Sequence, residues 1–257
     1  MRRRPVALAA FTAFAALTAG LVTGCGDDNE PDPLRGQQWA LDALKLPDAW
    51  SASKGEDTVI AVVDTGVDPD HPDLQGRLVD GYDFVDGDDE PRDLNGHGTH
   101  VSGIAAAHTD NGIGVAGGAL GAKIMPVRVL GADGSGSDAN IAKGIVWAAD
   151  QYGRPAPFTN FGAQNAVSAP GVDILSALPT YTSKETLKNL TGYGKLSGTS
   201  MASPYVSAVA ALLHHQGLDP AGIMQTIRDT AANPSRAPKL GLGNVDTAAA
   251  VNAAKAE

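Results

Sequence analysis

The sequence predicts an α/β domain built on a mostly parallel sheet with helices on both of its faces. Residues 58–63 form a continuous run of mainly β-branched residues, which is typical of a strand buried on both faces of such a sheet. Along the rest of the chain, strand-like runs alternate with segments of helical spacing. The 257 residues, 43% of them hydrophobic, suffice for one sizeable core.

The remaining elements follow from spacing and capping residues. After the first strand we expect a small-residue helix at residues 98–108, a strand at 122–130 and a helix at 139–149. A short strand at 172–175 should follow, and then three helices, at 201–216, from 220 onward and at 247–254. Asp138, Asp219 and Asp246 are the expected N-caps of three of these helices. Pro220 suits a first helical turn, and Gly217 suits the end of the long apolar helix.

The charge balance excludes several kinds of partner. Acidic residues outnumber basic ones by 29 to 19, and the net charge is −10 at pH 7. Such a chain repels the phosphates of nucleic acids and anionic membranes, so we expect neither as a partner of the domain surface. A single cysteine excludes an internal disulfide and any zinc site built from cysteines.

The first 24 residues have the layout of an export signal. Three arginines precede an uncharged run at residues 6–22, which is shorter than the roughly 20 residues of a membrane-spanning helix. The end of this run, LVTGC, resembles the lipobox of bacterial lipoproteins and implies that Cys25 is lipidated. We then expect residues 25–37 to be an acidic tether and the protein to be extracytoplasmic, lipid-anchored to a bacterial membrane or secreted. The alternative is an ordinary signal peptide with a chance cysteine.

Three motifs, in the order Asp, His, Ser, carry the chemistry. Asp64 ends the first predicted strand, where catalytic groups gather in open α/β sheets, although a carboxylate there can also merely cap a turn. His97 stands between glycines at a helix start, where backbone can approach a substrate closely. Ser200 begins the long apolar helix, whose free amides and dipole suit a nucleophile that generates an oxyanion. A serine nucleophile needs such a histidine base, and the histidine needs a carboxylate.

Each motif also has a simpler interpretation. His97 could cap its helix, or pair with His100 on zinc, although a zinc pair on a helix more usually has i, i+4 spacing and a third ligand. Thr199 or Ser200 could be only the N-cap of the helix that follows.

Taken together, the local sequences resemble the subtilase family of serine peptidases over nearly all of residues 38–252. The matching stretches are VVDTGVDPDHPDL, NGHGTHVSGIAA, APGVDIL and GTSMASPYVSA. The resemblance implies a subtilisin-like peptidase domain at residues 38–254, acting on protein or peptide substrates and expected to be a monomer. It further implies that Asp64 orients His97, that His97 is the general acid and base, and that Ser200 is the nucleophile of an acyl-enzyme mechanism.

Two further correspondences follow from the same resemblance. Gly134, Ser135 and Gly136 are similar to the strand segment with which subtilases hold the substrate backbone, although they also suit a flexible glycine turn. Residues 109–115 (TDNGIGV) are similar to the family's calcium loop. Asp73 and Asn111 match its side-chain ligands, and either Gln37 or Gln38 matches the family's N-terminal glutamine. The oxygen ligands suit calcium, a hard cation.

The family pattern breaks near residue 150. GIVWAAD runs directly into a stretch that resembles a much later part of the family sequence, which implies a deletion of several dozen residues with central strands among them. The lost part would include one wall of the specificity pocket. It would also include the family's asparagine that donates to the oxyanion, since no residue of this chain matches it and Asn160 and Asn165 stand in another motif. Loss of such a donor costs roughly 10²–10³ in kcat. The alternatives are therefore a peptide-binding protein without catalysis and a truncated product that does not fold.

Overall fold

The structure, a computed structural model, describes residues 30–151, 167–182, 191–233 and 241–255. The predicted signal at residues 1–24, Cys25, the junction that follows Gln151, Asn160 and Asn165 lie outside these ranges. The elements in chain order are α1 (Trp39–Ala43), α2 (Leu46–Ala49), β1 (Val59–Asp64), β2 (Tyr82–Asp83), α3 (His97–Ala106), β3 (Lys123–Arg128), α4 (Asp138–Gln151), β4 (Ile174–Ala177), β5 (Tyr193–Leu196), α5 (Thr199–His215), α6 (Pro220–Asp229) and α7 (Thr247–Ala254).

A parallel three-stranded sheet organises the domain, in the order β1-β3-β2. β1 and β3 pair along their whole length, from Val59 opposite Lys123 to Asp64 opposite Arg128. β4 and β5 form a separate antiparallel pair. The predicted α/β class is confirmed, and the carboxyl end of β1 brings Asp64 to the edge of the sheet where parallel strands present functional groups.

Helices cover both faces of the parallel sheet, as predicted. Val62 and Ile124 point into the main core, which α1, α2, α3, α5, α6 and α7 complete. Met125 and Val127 point to the other face, where they form a smaller cluster with Ala148 of α4. This alternation follows from the two-residue period of a strand.

The prediction that the first strand is buried on both faces is wrong. Within β1 only Val62 is buried, and Ala61 is exposed. The reason is its place in the sheet, since among the described residues β1 pairs with β3 alone and its second edge carries no strand.

Most predicted helices are confirmed, with one corrected cap. Asp219 and Asp246 accept hydrogen bonds from the amides of the third residues after them, as N-caps do. Asp138 instead lies inside α4, and the hydroxyl of Ser137 accepts from the Asn140 amide at 3.1 Å. The pattern did not predict the short strands β2 and β5.

The expected tether at residues 25–37 is wrong for its described part. Asp32 is buried, the Leu34 amide donates to Gly114 O at 2.9 Å, and the Gly112 amide donates to Glu30 O at 2.8 Å. The polar composition of this stretch suggested a free segment, but its carbonyls and carboxylates bind backbone amides of the domain.

None of the helices in the described ranges combines the length and the apolar character needed to cross a membrane.

Candidate active site

Asp64 and His97 are in direct contact. The Nδ1 atom of His97 lies 2.8 Å from Oδ1 and 2.9 Å from Oδ2 of Asp64. The Thr65 amide also donates to Asp64 Oδ1, at 2.7 Å. Because a carboxylate accepts, Nδ1 carries the proton, and Nε2 is left to accept a proton from a nucleophile.

The electrostatics of this pair favour a strong base. The hydrogen bond from His97 to Asp64 raises the pKa of the imidazole above its usual value, partial burial opposes this, and the charges of Asp64 and Asp93 add to the rise. His97 keeps 32% of its side-chain surface exposed, whereas Asp64 keeps 13%. The imidazole is therefore hydrogen-bonded to Asp64 through Nδ1 and remains partly exposed, so that a substrate can reach it.

Close backbone packing positions His97. Gly96 adopts a φ of 115°, which turns the chain into α3 and which side chains other than glycine rarely adopt. A Cβ atom on Gly98 would lie 2.1 Å from Gly66 O, two residues beyond Asp64. The glycines on either side of His97 thus let α3 start directly against the end of β1.

Ser200 is the second residue of α5, and it is not a cap. Gly198 occupies the N-cap position, and no side chain of the described residues caps the helix. The amide of Ser200 is thus among the first-turn N–H groups that point away from the helix with the positive end of its dipole. Pro204 lies one turn further on and has no N–H for the Ser200 carbonyl.

Ser200 and Asp64 line one cavity of about 320 Å³, together with the rest of residues 60–64 and with Val101 and Ala105 of α3. Within the described part of the chain, the Ser200 hydroxyl makes no hydrogen bond of 3.5 Å or less to His97. Catalytic contacts of this kind are often long in proteins without substrate. A larger cleft of about 520 Å³ lies elsewhere, and none of the three motif residues lines it.

His100 is a buried structural residue. Its Nε2 atom lies 2.9 Å from Ile174 O and 3.1 Å from Gly194 O, so this nitrogen carries the proton and donates to both carbonyls. Burial lowers the pKa of His100 to about 4, and the side chain is neutral. In the part of the chain that the structure describes, there is no group of three or more His, Cys, Asp or Glu side chains placed to hold a metal ion.

The segment Gly134–Ser135–Gly136 is an exposed loop in the structure, and it belongs to no strand. Gly134 has a φ of 78°, the Ser135 carbonyl accepts from the Gly131 amide at 2.8 Å, and the Ser135 amide donates to Asp133 Oδ1. Asn95 joins this loop to the histidine, since its Nδ2 donates to Ala132 O and its Oδ1 accepts from the His97 amide.

The residues expected to hold calcium lie together. The side-chain amide of Asn111 donates from Nδ2 to Asp73 Oδ1 at 3.2 Å. Burial raises the pKa of Asp73 to about 6. Asp32 adds a second carboxylate, which accepts from the backbone amide of Asn111 at 3.1 Å. Gln38, and not Gln37, is the buried glutamine, and it binds both the amide and the carbonyl of Ala116 at 2.8 Å.

Sequence reasoning missed two buried carboxylates near these sites, Asp32 and Asp93. Asp32 stands in a polar, turn-rich stretch that looked unstructured. Asp93 stands four residues before His97, and its spacing to the motif gave no sign of the five hydrogen bonds that its carboxylate accepts.

Comparison with known proteins identifies the family. A sequence profile of the subtilase family (peptidase S8) matches residues 55–154 and 148–251. Thermitase of Thermoactinomyces vulgaris is 36% identical over 281 positions that cover 86% of this chain and 95% of that protein. The thermophilic serine proteinase of Bacillus sp. strain AK1 is 39% identical over 245 positions, which cover 71% of this chain and 59% of that protein. This chain therefore spans less than two thirds of that relative's length.

Solved structures agree with the sequence match. A protease of Pseudoalteromonas arctica PAMC 21717 superposes with a TM-score of 0.75 at 29% identity, over 88% of this chain and 99% of that one. The two stretches that the family profile matches contain Asp64, His97 and Ser200. The chain therefore belongs to the subtilase family of serine peptidases.

Proposed function

We propose that this protein is a serine endopeptidase that cleaves protein or peptide substrates through Asp64, His97 and Ser200. The observation that carries the proposal is the hydrogen bond of 2.8 Å between His97 Nδ1 and Asp64, which leaves Nε2 as the basic nitrogen. The free amide of Ser200 at the start of α5 supports the same assignment.

In the proposed reaction, His97 Nε2 takes the proton of the Ser200 hydroxyl as the oxygen attacks the scissile carbonyl. Asp64 stabilises the imidazolium that forms, and the Ser200 amide donates to the oxyanion. His97 then gives its proton to the leaving amine, and water releases the acyl group by the same steps in reverse. The Asn95 bridge supports a role of residues 134–136 in holding the substrate backbone beside His97.

A deletion near residue 150 is part of the proposal. The family profile matches in two pieces that overlap at residues 148–154, and the alignment with thermitase runs over 281 positions, more than the 257 residues of this chain. The unpaired second edge of β1 in the described sheet is consistent with lost strands. With them goes the side-chain donor to the oxyanion, so we expect turnover that is roughly 10²–10³-fold slower than with both donors present.

Fluorophosphonate labelling tests the nucleophile directly. These reagents phosphonylate a serine only when a base activates it, so slow but site-specific labelling of Ser200 is expected. The full chain is incubated with the probe, and the modified peptide is located by mass spectrometry. The Ser200→Ala variant is the control, and Ser203→Ala is matched to it because Ser203 lines the same cavity. Folded protein that stays unlabelled, or that is labelled equally in Ser200→Ala, would refute the enzyme; measurable peptide affinity in that case would support a binding protein.

We also propose that Asp32, Asp73 and Asn111 bind calcium. All their ligand atoms would be oxygens, which suits a hard cation. Both carboxylates are buried, and neither takes part in a salt bridge among the described residues. A bound cation would supply the missing positive charge and tie residues 30–34 to the loop at residues 109–115.

Thermal unfolding checks the calcium proposal. At a calcium concentration 100-fold above Kd the folded state gains about 2.7 kcal/mol, which should raise Tm by several degrees relative to protein in EDTA. Asp32→Asn is expected to abolish most of that rise. Asp57→Asn serves as the control, since Asp57 is exposed and its φ of 59° suits asparagine. An equal rise in Asp32→Asn and in the unmodified protein would rule out this site.

We propose, from the signal-like first 24 residues and the lipobox, that Cys25 carries the lipid that would anchor the protein outside the cytoplasm.

A further inference from the structure

Asp93 is a fully buried carboxylate in the loop between β2 and α3. Its Oδ1 atom accepts from the Thr65 hydroxyl at 2.8 Å, the Asn95 amide at 2.9 Å and the Gly96 amide at 2.8 Å. Its Oδ2 atom accepts from the amide and the hydroxyl of Thr99, at 2.9 and 2.6 Å. Five donors on one buried carboxylate form a network that is strongly coupled in the low dielectric of the interior.

These donors flank both members of the Asp64–His97 pair. Thr65 directly follows Asp64, whereas Gly96 directly precedes His97 and Thr99 lies in the first turn of the same helix. The Thr65 hydroxyl additionally accepts from the Gly98 amide at 2.9 Å. One carboxylate therefore fixes the end of β1 and the start of α3 relative to each other.

Asp93 is itself held at both ends. Its amide donates to Val67 O at 2.9 Å, and its carbonyl accepts from the Tyr181 hydroxyl at 2.6 Å. The guanidinium of Arg92 lies 4.1 Å from the centre of the Tyr181 ring, a cation–π contact. The carboxylate is thus carried on a loop that the surrounding structure immobilises.

We propose that Asp93 is a positioning residue of the active site, which holds the backbone on both sides of the Asp64–His97 hydrogen bond and places a second negative charge behind the imidazole. This inference rests on the proposed peptidase function. The charged and titratable groups that act on His97 are Asp64, which dominates, and Asp93, while His100 nearby is neutral above pH 4.

Asp93→Asn tests the proposal with little change in shape. An asparagine turns one acceptor into an NH₂ group, which must then face backbone amides in either orientation, because Oδ1 faces the Gly96 amide and Oδ2 the Thr99 amide. We expect a lower pKa for His97 and a rate of Ser200 labelling that falls on the order of 10²-fold, the size of effect that a misplacement of about 1 Å produces.

The matched control is Asp68→Asn. Asp68 is as buried as Asp93, and its carboxylate accepts from the Asp70 amide and from the amide and hydroxyl of Thr180, none of which adjoins Asp64 or His97. Its backbone amide donates to the Thr99 hydroxyl at 3.0 Å, a bond that the Asp68→Asn substitution leaves in place. This variant should lose stability like Asp93→Asn but keep the His97 titration of the unmodified protein. If Asp93→Asn does not fold, Thr99→Val removes one of the five bonds, together with the acceptor of the Asp68 amide, and a smaller shift of the same sign is expected.

The decisive measurement is the titration of His97 by NMR, which does not require turnover. A lower His97 pKa in Asp93→Asn or Thr99→Val than in Asp68→Asn supports the positioning role. Absence of labelling by the probe would refute the peptidase function only, because the His97 titration does not depend on it. Equal His97 titrations in all variants would overturn the inference.

Discussion

Asp64→Asn is expected to slow the labelling of Ser200 by on the order of 10⁴-fold at neutral pH. An asparagine would present either its oxygen or its NH₂ group to His97 Nδ1, and the second arrangement would select the tautomer in which Nε2 carries the proton and cannot accept one. The imidazolium would also lose the carboxylate that lies 2.8 Å away. The rate is measured with a fluorophosphonate probe at several pH values.

The pH dependence of this variant has a definite sign. In the unmodified protein the Asp64 hydrogen bond raises the pKa of His97 above 6.5, so the active neutral form appears only as pH rises through that elevated value. Without the carboxylate, the acid limb of the rate profile should move to lower pH. The same pair stabilises the folded state below pH 6.5, and this contribution disappears as pH rises through the folded pKa.

Asp57→Asn provides the control for Asp64→Asn, because it removes one exposed carboxylate and changes the net charge equally. Its rate and acid limb should match those of the unmodified protein. If both variants retain the original rate, Asp64 does not support the base.

Gly98→Ala is expected to destabilise the fold by about 3 kcal/mol and to lower the labelling rate as well. The new Cβ would lie 2.1 Å from Gly66 O and 3.1 Å from Gly66 N, atoms of backbone that cannot rotate away. α3 must therefore move off the end of β1, and His97 moves with it. Urea unfolding gives the free energy, and the probe gives the rate.

Gly36→Ala is the matched substitution for Gly98→Ala, since a Cβ there meets nothing within 4 Å. It should leave the urea midpoint and the labelling rate unchanged. Equal midpoints for the two variants would show that α3 tolerates the added methyl group and that the close contact has no energetic weight.

Local sequence was enough to predict most helices and the first two long strands, whereas the contact between Asp64 and His97 was expected from the family resemblance. The long-range relations were harder. Nothing in residues 58–63 indicates that β1 is an edge strand of the described sheet, since an edge strand and a central strand share one apolar pattern and differ only in their neighbours. The cap of α4 was missed because Ser137 and Asp138 are both good N-caps and stand side by side.

The buried carboxylates were unpredictable for a related reason. Asp32 and Asp93 stand in polar stretches where an acid would ordinarily face water. Their burial depends on backbone amides donated by segments that come close only in the folded chain, from residues 110–111 to Asp32 and from residues 95–99 to Asp93. The composition and spacing of the sequence do not indicate which backbone amides will donate to these carboxylates.

The buried glutamine before α1 has a practical consequence for recombinant work. Gln38 occupies both hydrogen-bonding groups of Ala116, and the residues just ahead of it cover the loop that contains Gly112 and Gly114. An expression vector that starts translation at α1 would remove this cover and leave the amides of Gly112 and Ala116 without their acceptors. Fragments intended for crystallisation should therefore begin no later than Glu30.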